Sequence, residues 1–251
     1  MIDQKFFPGP LFKPKLIGAK DWALIDTLLR DRSQFFDEVR RSRGLSEKMR
    51  AMLMSSVVAL ALYGTLLGST HSLWQSASSA VKLPLLFLAT LLICAPVLYI
   101  LNILLGANQR LSQSIVLVLS SISITAILLL SFAPVTLFFV LTVPNSYQFF
   151  KLINVLFFTI SGVIGASCLH QGLKIVWIGK AESKESTKAH GLMFWLWMII
   201  YSFVGSPVAW TIRPFVGYPG VPFELFRQFG GNFYTNILTS LGEILGFIIV
   251  K

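Results

Sequence analysis

Five long apolar runs alternate with short polar stretches along this chain, at residues 52–69, 83–105, 112–143, 152–172 and 192–210. Each approaches or exceeds the ~20 residues that carry an α-helix across a bilayer core. The alternation predicts antiparallel transmembrane helices. Prolines mark departures from a straight path. Pro84 falls in a first helical turn, where its missing N–H is tolerated, whereas Pro96 is interior and predicts a kink. As one helix the third run would be roughly 45 Å long, against a hydrocarbon core of about 30 Å. Pro134 therefore predicts a kink, after which 135–143 follow the membrane boundary. The Ser-rich stretch 70–82 reads as a loop with Trp74 at the interface. Hydrophilic residues 179–191 read as a mobile connector.

Small residues within the runs predict where helices approach closely. Gly64 and Gly68 form a small-xxx-small pair in the first span, and Ser161, Gly162, Gly165 and Ala166 form a second stripe in the fourth. Phe194, Trp195, Trp197 and Trp210 read as an aromatic belt around the fifth span.

The flanks are of a different character. Pro8, Pro10 and Pro14 rule out a regular helix in residues 1–20. Residues 21–43 are amphipathic, with Trp22, Ile25, Leu28, Leu29, Phe36 and Val39 at helical spacing. Asp21 can cap the start, and a break after Asp31 fits Ser33 as a second N-cap. Trp22 and Phe36 are the candidate docking residues of this segment. At the far end, 213–227 hold three prolines, two glycines and four aromatics. This composition predicts a turn-rich docking surface or a cap on the bundle, with Arg213, Phe215, Tyr218, Phe223, Phe226 and Arg227 as contact residues. A last helix at 233–250, striped by Phe233, Ile237, Leu241, Ile244 and Ile248, reads as interfacial or packed on the bundle.

Composition agrees with a lipid setting. The chain is 55% hydrophobic and 13% charged, about half the charge of an average soluble domain. The net charge of +10 has a topological explanation. With five spans, the N-terminal region and the second and fourth loops share one side and hold 16 of the 21 Lys and Arg residues. That asymmetry predicts a cytoplasmic N-terminus, and makes a nucleic-acid partner the weaker reading. No early apolar stretch resembles a secretory signal.

Little chemistry is legible. Cys94 and Cys168 lie within apolar runs and read as buried small hydrophobes. His71, His170 and His190 are far apart and lack metal-ligand spacing. His170, near a helix end, reads as a hydrogen-bonded histidine. Ser120, Ser121, Ser123 and Thr125 are expected to bond back to their own helix. The middles of the five runs lack Asp, Glu, Lys and Arg, which argues against an ion-coupled carrier. No catalytic constellation or cofactor motif is present, so the chain is expected not to be an enzyme.

The stretch SASSAVKLPLLFLATLLIC (76–94), with a cytoplasmic N-terminal region and five close-packed spans, resembles the Yip-domain membrane proteins and their bacterial relatives. The pattern covers nineteen residues and the architecture about 50–212. The acidic Asp-Leu-Tyr-Gly-Pro element of eukaryotic Yip proteins is absent, so vesicle traffic and small-GTPase binding are not implied. The resemblance implies a bacterial inner or internal membrane. The expected architecture is an all-α polytopic transmembrane bundle of about five spans (51–212). It is flanked by an amphipathic region (1–50) and a non-cytoplasmic tail (213–251), with interfacial N- and C-terminal helices. The expected function is a non-enzymatic membrane scaffold or accessory subunit. Its expected partners are the lipid bilayer and a membrane protein or a second copy. The alternative is a channel, transporter subunit or lipid-moving protein.

Overall fold

The structure, a computed structural model, describes residues 19–70, 72–104, 109–142, 147–177 and 184–212. The described residues form seven α-helices and no strand. These are α1 (Ala19–Arg30), α2 (Arg32–Arg40), α3 (Leu45–Ser69), α4 (Leu73–Leu104), α5 (Leu111–Thr142), α6 (Tyr147–Trp177) and α7 (Lys184–Ile212). Helices α3 to α7 are long and apolar enough to cross a membrane. In hydrocarbon a helix satisfies its backbone hydrogen bonds internally, which is why apolar runs of this length adopt it. The chain is a multi-pass all-α membrane protein. Residues 1–18, His71 and the tail from Arg213 onward, with all six of its candidate contact residues and the helix expected at 233–250, lie outside the described residues.

α5 is the central helix. It packs against α3, α4 and α6, and α3 packs along α4 as well. Of its most apolar window 61% is buried, more than in any other span. Residues Val116–Ser120 and Ile122–Ala126 are buried in succession, so this part of α5 has no lipid-facing side.

A close backbone-to-backbone approach joins α3 to α4. A methyl group on Gly64 would strike the Ser79 carbonyl, with its carbon at 2.9 Å, and one on Gly68 would strike the backbone of Gln75 and Ser76. Only a residue without Cβ lets these backbones meet. The same approach corrects the reading of 70–82 as a loop: α4 starts at Leu73 and its Ser-rich beginning is helical. Serine is a turn former when its hydroxyl bonds locally. Here Ser76 instead donates across the contact to the Thr65 carbonyl at 2.7 Å, and Ser79 is buried against Gly64.

Three other expectations change. α5 continues helical beyond Pro134 to Thr142, so 135–142 are part of the span and not a separate boundary segment. α7 is helical from Lys184, well inside the stretch read as a connector. Trp197 belongs to no belt: it is 3% exposed and donates its indole N–H to the Cys94 carbonyl at 3.1 Å.

The N-terminal helices form a hairpin on one end of the bundle. The break falls at Asp31, whose carboxylate caps α2 by accepting the Gln34 N–H and is itself bonded by Ser33. These hydrogen bonds, Ser33 foremost, hold the Asp31 carboxyl below its ordinary range. Asp21 sits in the first turn of α1 and bonds to Arg50 of α3 at 3.1 Å. Just beyond the C-cap of α2 at Arg41, Ser42 adopts the left-handed region with φ 56°, while the Arg43 N–H reaches back to the Glu38 carbonyl. Gly44, with φ 60°, then turns the chain into α3. Gln113 of α5 closes the arrangement: its amide donates to the Val39 and Arg40 carbonyls at 2.9 and 3.1 Å.

Replacing Gly68 by leucine is expected to cost about 1–3 kcal/mol, because the obstacle is backbone and cannot swing aside. Thermal unfolding in detergent should show a clear drop for Gly68→Leu and none for Gly162→Ala, where an added Cβ meets nothing within 4 Å.

Candidate functional site

The interior of the bundle is crossed by short neutral polar groups, at spacings that bring them together from different helices. Near the hairpin end, Ser123 of α5 donates to the Met52 carbonyl of α3 at 2.9 Å and lies 2.9 Å from the Ser56 hydroxyl. Ser121 donates to the Gly165 carbonyl of α6 at 2.7 Å. Towards the other end, Tyr63 of α3 donates its phenol to Asn154 Oδ1 of α6 at 2.7 Å. The Asn154 amide goes on to the Phe150 carbonyl, also at 2.7 Å. These bonds tie α5 and α6 to each other and to α3 where the surroundings offer no water. The expectation that hydroxyls of α5 bond within their own helix holds for Ser120 and Thr125. Ser121 and Ser123 bond across helices instead.

Beside this seam lies a cleft of about 110 Å³ between α4, α5, α6 and α7. Its walls are mainly aromatic and aliphatic, including Phe87, Phe158, Trp197 and Tyr201. Ser121 and Thr125 line its α5 side, and Gly162 lines its α6 side. α7 makes its extensive backbone contact with α4 alone, although the Phe194 and His170 rings meet at 4.7 Å and join α7 to α6. The cleft occupies the angle that this leaves.

The bundle end that carries the hairpin is charged. Lys48 is buried, sits 5.3 Å from the Phe35 ring centroid and pairs with Glu38 at 2.6 Å. The hydrogen bond from Lys48 holds the Glu38 carboxyl below its ordinary 4.5. Arg40 and Arg41 both pair with Asp37. Arg43, Arg110 and Lys174 are exposed there.

The candidate residues separate clearly. Trp22 is 60% exposed and free to meet a partner or a headgroup layer. Phe36 is a correction: it is fully buried, with its ring against Gly172 of α6 and near Leu117, so it serves the chain's own core. Gly64, Gly68 and Gly165 are at close crossings, the last against Thr125 and Ser121. Gly162 is not, and opens onto the cleft. Cys94 and Cys168 are buried free thiols. Lys82 is buried near the start of α4, while the middles of the described spans carry no Asp, Glu, Lys or Arg. Tyr63 and Asn154 were also overlooked, though two polar residues within apolar runs are a readable signal of interhelical bonding. Among the described residues no three His, Cys, Asp or Glu side chains gather as a metal site.

Tyr63 and Asn154 are expected to be coupled by about 0.6–1.7 kcal/mol, the range for hydrogen bonds between membrane helices. A double-mutant cycle with Tyr63→Phe and Asn154→Leu measures this. The Glu38–Lys48 pair gives a pH dependence of known sign. A carboxyl with a depressed folded-state pKa contributes stability above its unfolded pKa of about 4.5 and loses it as pH falls through the folded value. Hydrogen exchange of α2 amides should therefore rise below that pH in the native protein. In Glu38→Gln that acid-side rise should be absent.

Compared with known proteins, the chain matches no family model, no curated protein and no solved structure.

Proposed function

We propose that this protein is a non-enzymatic integral membrane subunit that assembles with another membrane protein through α7. The observation that supports the reading is the unequal burial of the spans. Only 11% of the α7 window is buried, against 61% for α5. Trp195, Ile199 and Phe203 project from α7 as exposed large side chains at helical spacing. Large rigid aromatics at such spacing are the usual anchors of protein contacts. The internal polar groups add to the reading, since Ser121, Ser123 and Tyr63 bond across helices and hold the bundle together.

The positive-inside rule orients the subunit with its hairpin in the cytoplasm, because Arg43, Arg110 and Lys174 share that end with the N-terminal helices. The Yip-like layout favours a bacterial inner or internal membrane by fold-level analogy alone. The tail residues 213–227 would add a second docking surface on the opposite side. The alternative, a carrier of small membrane-soluble molecules, draws on the cleft among α4–α7.

Purification from native membranes in a gentle detergent tests the proposal. A stoichiometric membrane-protein partner is expected, and paired substitution Trp195→Ala and Phe203→Ala should deplete it at least severalfold while leaving thermal unfolding unchanged. Recovery of the native chain only as a lone monomer would sink the reading. Deleting 1–43 is not a clean test, because it removes Phe35, Phe36 and Val39 from the core.

A further inference from the structure

We propose that the cleft among α4, α5, α6 and α7 is a binding site for a neutral, membrane-dissolved quinone, its ring seated between Trp197 and Phe158 and a carbonyl oxygen accepting from Tyr201. Depth is the first argument. Gly162, which lines the cleft, is the midpoint of α6 (Tyr147–Trp177), and Thr125 lies close to the middle of α5 (Leu111–Thr142). The cleft therefore sits near the centre of the bilayer. A glycerolipid ester belongs roughly 15 Å away, at the edge of a ~30 Å core, so it cannot place its polar group here. A charged ligand is excluded by the same depth.

The second argument is the hydrogen-bond inventory of the walls. Ser121 has committed its proton to the Gly165 carbonyl. Thr125 has committed its proton to the Ser121 carbonyl at 3.0 Å, shared with the Ser161 carbonyl at 3.3 Å. Trp197 has committed its N–H to the Cys94 carbonyl. The Tyr201 hydroxyl has no hydrogen-bond partner among the described residues, and its ring is held 5.0 Å from that of Trp197. Half-buried at the edge of the cleft, this phenol is a wall donor still open to an acceptor. A ring carbonyl supplies one and brings no donor of its own.

Size and wall chemistry are the third. The cleft, at about 110 Å³, is smaller than the ~150 Å³ enclosed cavity that accepts a benzene ring, but it is open on one side, so a ring can enter in part and keep its remaining atoms in lipid. Aromatic rings prefer offset or edge contacts with aromatic neighbours, and Phe87, Phe158, Trp197 and Tyr201 provide them. A prenyl or alkyl tail leaves through the open side into lipid.

Equilibrium binding of a radiolabelled, decyl-tailed benzoquinone to the full chain in phosphatidylcholine nanodiscs tests this. Saturable binding near one site per chain is expected. Tyr201→Phe should weaken it by about tenfold, the value of one hydrogen bond. Gly162→Leu should abolish it while the protein stays folded, because its side chain extends into the empty space. Partitioning that does not saturate, or that is the same in all three proteins, overturns the proposal. So does equal binding of decylbenzene with no effect of Tyr201→Phe, which would make the cleft a resting place for hydrocarbon chains. If Gly162→Leu lowers the unfolding temperature, Tyr201→Phe alone decides.

Discussion

Two helices in a bilayer gain nothing by hiding apolar surface from water, since hydrocarbon already surrounds them. Association has to come from close van der Waals contact and from polar groups that find each other. The α3–α4 crossing at Gly64 and Gly68 provides the first, with the α3 glycines directly against the backbone of Gln75, Ser76 and Ser79. The rest of the bundle depends on that crossing. It sets the position of α4, which carries α7. It also leaves a neighbouring face of α3 to meet α5, so that Ser56 and Ser123 come within reach.

The N-terminal hairpin follows a different logic. Its apolar face is not spent on a membrane surface but on the bundle, where Phe35, Phe36 and Val39 are fully buried. Gln113 and the Lys48–Glu38 pair then fasten it. Exposed Trp22 remains on its outer side. An element that looks peripheral by hydropathy thus closes one end of the bundle, while α7, a full span, is the least buried of the five spans.

That low burial links the two functional readings. Contact with α4 holds α7 on one side, and the junction of Phe194 with His170 holds it near one end. Between them the helix stands off α5 and α6 and leaves the cleft. The outer face of the same helix offers Trp195, Ile199 and Phe203. Met198 borders both the cleft and a shallow groove that Trp195, Ile199 and Phe203 form on that outer face. Any partner seated on that outer face would bear directly on the wall of the cleft.

What the sequence determined by itself is the helical class, the five spans, and the glycines of the α3–α4 crossing. Each is a local property: run length against bilayer thickness, or small residues four apart on one helix. It also marked the break at Asp31, although the cap of α2 is Asp31 itself and not Ser33, whose hydroxyl bonds the Asp31 carboxylate instead. The start of α4 was hidden because Ser76 and Ser79 are turn formers until another helix supplies their partners. Tertiary structure alone decided that Phe36 faces inward while Trp22 does not, that Trp197 leaves its neighbours to bond Cys94, and that Gly162 opens a cleft where Gly165 closes a contact. The two glycines are identical in type and three residues apart. Only the path of helices distant in sequence, α5 on one side and α7 on the other, makes one a hinge of packing and the other a wall of empty space.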